Sequence, residues 1–296
     1  QPNFAYFVYN TIPQWSGSTT GSAAGVESFD LNNIRPLPVF HFIGKQIDIA
    51  NALFMPPSEY PSGYMGSDEL WRGTLVYEGV VYDHVEFRAR GGDFRYATGK
   101  SNWRINLHKG HRIQMYDNWG KPYPELADKI NLYGISQQVH RDRRGEHGMF
   151  DSMTYNLYNM AGVAASNTQW VQLRVIDRPT EYGPTQYESD FWGLYLSVEH
   201  PDGRFLDNHN LPDGNLYKVE NYEGDLDNLS KNGPDDGSDY NAFHHVISNT
   251  VPSVDWLKQN IDLENYYSFR SILEFTHDYD VNQGKNYYYF HNDDTN

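Results

Sequence analysis

Near the end of the chain, Asp278, Asp280, Lys285 and Asn286 share one short polar stretch. A carboxylate can take a proton from a hydroxyl or hold a hard cation, an amide oxygen can share that cation, and a lysine can neutralise phosphate. The flanks read as regular elements. Tyr266, Phe269, Ile272, Leu273 and Phe275 recur at helical spacing, Gly284 interrupts the pattern, and Tyr287–Phe290 is an aromatic run of the kind found in buried strands. Spacing alone leaves two readings open, a solvated helix-to-strand connection and a site that handles metal and phosphate.

A second set of chemically useful residues lies earlier. Arg88-Ala89-Arg90-Gly91-Gly92-Asp93 is a basic, glycine-bearing turn, and Lys100–Leu107 follows as a strand with Trp103, Ile105 and Leu107 on one face and Asn102, Arg104 and Asn106 on the other. Arg88 or Arg90, Lys100 and Arg104 thus gather on one hairpin. Glycine beside arginine at a strand end lets backbone amides approach an anion. A solvated edge guarded by charges fits the same residues.

Charge makes that hairpin informative. The chain of 296 residues carries a formal net charge of -16. Nucleic acid and anionic membrane surfaces are therefore excluded as partners of a basic face. An acidic protein that handles a nucleotide needs a local positive patch or a metal ion. There is no cysteine, which removes disulfides and thiol chemistry. The 24 Tyr and 7 Trp argue for a packed, loop-rich globular chain rather than a disordered one. No apolar run is long enough to span a membrane. The chain shows no signal peptide and opens on Gln1, as a processed secreted or extracellular protein would.

The positioning elements follow in order. Residues 1–35 read as an irregular N-terminal arm, and 36–296 as a single domain. Strands are expected at Leu37–Phe42, Trp71–Tyr77, Val80–Arg90, Lys100–Leu107, Lys129–Ile135, Gln169–Ile176, Phe191–Glu199 and Asn215–Val219, with Glu78-Gly79 a hairpin turn. A helix over Phe150–Ala161 has Met153, Leu157 and Met160 as its core face and Gly162 as its stop. The acidic run with Asp225, Asp227, Asp235, Asp236 and Asp239 reads as a surface insertion, with calcium binding the alternative. Helices are expected over 241–249 and 253–275, with Asp262 capping a last segment from Leu263. The expected fold class is α+β with two lobes, the N-terminal part β-rich and the C-terminal part more helical.

In this order the pieces resemble the spore-coat protein H (CotH) kinase family, a group of atypical protein-kinase-like proteins. Val85–Gly92 is similar to the family's strand ending in Arg-Gly, and Lys100–Leu107 to its Lys-x-x-aromatic-basic-apolar strand. Gly193–Glu199 with Asn215–Lys218 resembles its "GLYLLxE … LYK" core, and Asp278–Tyr289 its Asp … (Lys/His)-Asn-Tyr-Tyr signature. The resemblance implies a two-lobed protein-kinase-like fold and transfer of a phosphoryl group from ATP, with Mg²⁺ or Mn²⁺, to Ser or Thr of a protein substrate. Carried over, Asp280 is the catalytic residue with Asp278 its alternative, and Asn286 and Asp280 hold the metal. Lys100, or alternatively Arg104, pairs with phosphate, and Arg90, Gly91 and Gly92 approach the phosphates. Glu199 lies beside the adenine, and Lys218 serves the site or the scaffold.

Gly92-Asp93-Phe94 stands where the family often has a serine, and the family's Arg-Asn at the middle helix is replaced around Phe150-Asp151. The second metal carboxylate of the family comes from a later Trp-Asp segment, where this chain has only Asp293-Asp294 in reach, so the domain is expected to be truncated or its site incomplete. The alternative is a structural or binding component of an extracellular assembly, or a carbohydrate-associated protein that uses exposed Trp and Tyr.

Overall fold

The structure is a computed structural model that describes residues 37–53, 69–91, 101–117, 119–134, 149–179, 190–278, 281 and 284–293. They fall into two compact units, one within Gln1–Pro122, Leu126–Ser152 and Thr168–Glu199, the other within Tyr123–Glu125, Met153–Asn167 and His200–Asn296.

The first unit is a closed barrel. Its strands are β1 (Val39–Gly44), β2 (Trp71–Tyr77), β3 (Val80–Arg90), β4 (Asn102–Asn106), β5 (Lys129–Tyr133), β6 (Thr168–Ile176) and β7 (Phe191–Val198), in the order β1-β2-β3-β4-β5-β7-β6. Every pairing is antiparallel except β6 with β1, which closes the ring in parallel. The β2–β3 hairpin turns at Glu78 and Gly79, both at positive φ (50° and 77°), the requirement of the tight turn that matches strand twist. A register shift follows in this hairpin. His84, at φ 56°, sits in the step that lets Tyr82 and Val85 both be buried although they are three residues apart.

Alternation fills the barrel with aromatic and branched side chains. Phe42 meets Phe87 edge-on at 4.5 Å between ring centroids, and Phe40 meets Tyr77 at 4.7 Å. Trp103 lies 5.6 Å from Trp192, and Ile105, Leu132, Leu173 and Val175 close the space between them. Ile49, from helix α1 (Gln46–Leu53), joins the same interior. His41 and Arg174 face each other across the β1–β6 pairing and are buried. Burial first, and the Arg174 charge second, hold the imidazole far below its ordinary range, at about 3.

The second unit is built on a three-stranded sheet in the order β10-β8-β9, from β8 (Asn215–Glu220), β9 (Glu223–Asn228) and β10 (Tyr287–His291). Asn221 and Tyr222, both at positive φ, make the β8–β9 turn. One face of the sheet packs Tyr217, Val219, Tyr287 and Tyr289 around Tyr240. The other packs Leu216, Tyr288 and Phe290 on Phe205 and Leu206. Five helices accompany these strands in sequence: α2 (Met149–Met160), α3 (Gly203–Asn208), α4 (Ser238–Asn249), α5 (Val254–Asn260) and α6 (Leu263–Thr276). Tyr240 belongs to α4, and Phe205 and Leu206 belong to α3.

The expected two-lobed kinase-like fold with a more helical C-terminal part is overturned. The β-rich part is a closed seven-stranded barrel, and the C-terminal part shares its short helices with a sheet. Two local expectations also change. Met153 and Met160 of α2 are exposed rather than core, and Tyr158 is the buried residue of that helix. The acidic run is no insertion, because its first part is strand β9, paired along β8. The N-terminal arm lies outside the described residues.

Candidate functional site

The chemistry-bearing end of the chain is held by capping and by one close approach. Asp262 caps α6, its carboxylate accepting the Asn265 N–H at 3.0 Å. At the other end His277 takes the left-handed conformation (φ 53°), and the Asp278 N–H reaches back to the Leu273 carbonyl at 3.3 Å. That double turn ends the helix and fixes where Asp278 leaves it. Asp278 is exposed, and its charge is felt at Tyr158. The Tyr158 hydroxyl is pushed up to about 12, mainly by burial and then by Asp278, while Arg270 acts in the opposite sense. The Tyr158 ring stacks on Phe269 at 5.7 Å.

Beyond the loop, Gly284 sits at φ 60° against Tyr222, and a Cβ there would lie 2.2 Å from the tyrosine ring. The Tyr222 N–H also donates to the Gly284 carbonyl at 2.7 Å. Only glycine satisfies both the backbone angle and the contact. Asn286 follows at φ 64°, its N–H donating to the Val219 carbonyl at 3.1 Å and its side chain exposed. The chain thus enters β10 with Asn286 next to β8, one residue from Lys218. The Lys218 ammonium lies 3.2 Å from the Glu220 carboxylate on the same strand, and both side chains are 41% exposed. An exposed pair of this kind contributes little to stability, so the lysine is held loosely.

Arg90, Gly91, Arg104 and Glu199 belong to the barrel unit. Arg90 ends β3 with its guanidinium 4.9 Å from the centre of the Tyr133 ring, and Gly91 follows at φ 117°. Arg88 and Arg104 stand directly opposite each other on β3 and β4, with Arg90 opposite Asn102 on the same face. Glu86 shares that face, opposite Asn106, and Arg88 Nη1 donates to the Ala89 carbonyl at 3.3 Å. Arg104 Nε donates to Asn106 Oδ1 at 3.1 Å. Glu199 directly follows β7 and is buried. Gly92, Lys100 and Asp280 lie outside the described residues.

The acidic run separates by role. Asp225 and Asp227 are on the exposed side of β9, Asp235 and Asp236 are exposed in the loop after it, and only Asp239 turns inward. A calcium loop over this run is not supported by that dispersal. The inward Asp239 meets His291 and Asp293, a grouping that sequence reasoning missed because it joins residues far apart in the chain.

The profile of the CotH kinase protein family matches residues 87–296. The chain belongs to that family. The match starts inside β3 and takes in every candidate residue named above. No curated protein matches the chain. Membership in a kinase family points in general terms to a nucleoside triphosphate, a divalent cation and a protein acceptor. Among the described residues no helix is long and apolar enough to cross a membrane.

Proposed function

We propose that this CotH-family chain is an extracellular protein kinase that moves the γ-phosphoryl group of ATP to a Ser or Thr hydroxyl. The family match over residues 87–296 carries the reading. The donor set supports it: Asp278, Asp280 and Asn286 offer hard oxygens suited to Mg²⁺ or Mn²⁺, and the connection that bears them is pinned at Asp278, Gly284 and Asn286. Asp280, with Asp278 the alternative, orients the acceptor hydroxyl and takes its proton as the new O–P bond forms and the bond to the β-phosphate oxygen breaks, releasing ADP. Asn286 and Asp280 would hold the cation, whose part is to neutralise charge on the phosphate oxygens. Lys100, with Arg104 and Arg90, would balance the triphosphate, and Gly91 and Gly92 would offer backbone amides. Glu199 would face the adenine. The acidic surface suits a basic or hydroxyl-rich protein acceptor.

Thermal unfolding with and without ATP and Mn²⁺ tests this reading, alongside Asp280→Ala and Asn286→Ala. At a ligand concentration about 100 times Kd the midpoint should rise by about 5 °C in the wild type, and neither variant should show the rise. No rise in the wild type would replace catalysis with a binding or structural role. The extracellular setting is checked by fractionating cells and medium.

A further inference from the structure

We propose that Asp239, His291 and Asp293 form a binding site for a first-row divalent cation of the zinc type, separate from the nucleotide's metal. His291 Nδ1 lies 2.8 Å from Asp239 Oδ2 and 3.1 Å from Asp293 Oδ1, and the three ligand atoms are all within 4.8 Å of one another. Ligands about 2.1 Å from a shared ion stand about 3.0 to 3.4 Å apart, and the two nitrogen–oxygen spacings are close to that range. The imidazole nitrogen argues against Mg²⁺ and Ca²⁺, which take oxygen, and for zinc or a neighbouring ion.

The surroundings are arranged as a ligand-orienting shell. Tyr217 donates its hydroxyl to the other oxygen of Asp239, and Ser230 donates to the other oxygen of Asp293. The Tyr240 N–H adds to Asp239 Oδ1 at 2.8 Å, and Asn215 Nδ2 donates to Asp239 Oδ2 at 3.1 Å. Asn215 is itself held by the Ser230 N–H at 2.9 Å. Each carboxylate therefore turns one oxygen to the imidazole and has the other held by a hydroxyl, and the Asp239 oxygen that faces the imidazole also accepts from Asn215.

Charge supplies the independent argument. The Asp239 and Asp293 side chains are only 9% and 10% exposed. One nitrogen, carrying at most one proton, faces both of them. Among the described residues no lysine or arginine makes a hydrogen bond or ion pair with any of the three. Hydrogen bonds from Tyr217, Tyr240, Asn215 and Ser230 hold the two carboxylates without neutralising them, and a cation would add the positive charge that those neutral donors do not carry. Bound there, it would tie the first turn of α4 to the end of β10, and it uses none of Asp278, Asp280 or Asn286.

The test is metal retention by the whole chain without nucleotide. The protein is stripped with chelator, offered Zn²⁺, Mn²⁺, Mg²⁺ or Ca²⁺ separately, and desalted. Bound metal is then counted by mass spectrometry and the unfolding midpoint recorded. The expected result is one Zn²⁺ per chain after desalting and, with free Zn²⁺ restored to about 100 times Kd, a midpoint raised by about 5 °C. His291→Gln and Asp293→Asn should lose both, while Asn286→Ala keeps both. Circular dichroism identifies any variant that fails to fold, and Asp293→Asn decides if His291→Gln does. A wild type that retains no ion and shows no shift overturns the proposal and leaves a hydrogen-bonded clamp. Equal retention by folded variants, or retention of Mg²⁺ or Ca²⁺ alone, overturns it as well.

Discussion

The barrel and the small-sheet unit solve opposite problems. The barrel turns its aromatic residues inward, where Phe42, Phe87, Trp103 and Trp192 fill a continuous apolar space. Its charged residues on β3 and β4 stand on the other face, where Arg88, Arg90 and Arg104 lie together. The small sheet keeps a polar cluster among its tyrosines, with Asn215, Tyr217, Asp239 and His291 joined by hydrogen bonds. Removing area is therefore the way to damage the first unit. Altering a backbone angle or a hydrogen bond is the way to damage the second.

The largest effect is expected from Phe87→Ala, which empties part of the barrel core. Loss of about 3 to 5 kcal/mol is the usual range for such a truncation, read by denaturant unfolding. A loss below 1 kcal/mol would mean that the barrel interior is not the stabilising core, and the contrast between the units would fail. Gly284→Ala comes next, because the added Cβ meets the Tyr222 ring and the φ of 60° is unfavourable. A cost of about 2 kcal/mol is expected from crowding and strain together. It should be accompanied by weaker ATP binding, since the same glycine leads the chain into Asn286.

The third prediction concerns pH and the barrel. The His41 imidazole has a folded pKa of about 3 against 6.5 for an unperturbed group. The unfolded state therefore binds more protons than the folded state between these values. Stability is complete above about pH 6.5 and is lost as pH falls toward 3, with on the order of 2 kcal/mol gone by pH 5. Unfolding midpoints from pH 7 to 5 should fall less steeply in a folded His41→Asn variant. An identical slope would remove His41 as the cause. The smallest effect is set for Asp262→Ala, which removes the α6 cap and should cost about 1 kcal/mol by chemical denaturation. No measurable loss would show that tertiary packing, not the cap, fixes that helix start.

Much of the secondary structure was legible because its signals are local. Glu78-Gly79 announced the β2–β3 hairpin, alternation placed Trp103 and Ile105 on the buried face of β4 with Leu107 buried just after it, and Asp262 marked the start of α6. The methionines of α2 misled because helical spacing gives a face but not which face is covered, and Tyr158 takes the buried side. The acidic run misled because polar residues can form a strand when one face is exposed, as Asp225 and Asp227 do on β9.

The sequence by itself determined most elements from β2 to β10, though not β9 or α3, the Glu78-Gly79 turn and the Asp262 cap, and, through its motifs, membership in the CotH kinase family. Tertiary structure alone decided that the strands close into a barrel, because the parallel β1–β6 pairing joins segments with no shared local signal. It likewise decided that Asp239 meets His291 and Asp293, since α4 and β10 must first pack on the same sheet face. Periodicity and capping act over a few residues, whereas closure and convergence depend on which surfaces find each other across the chain.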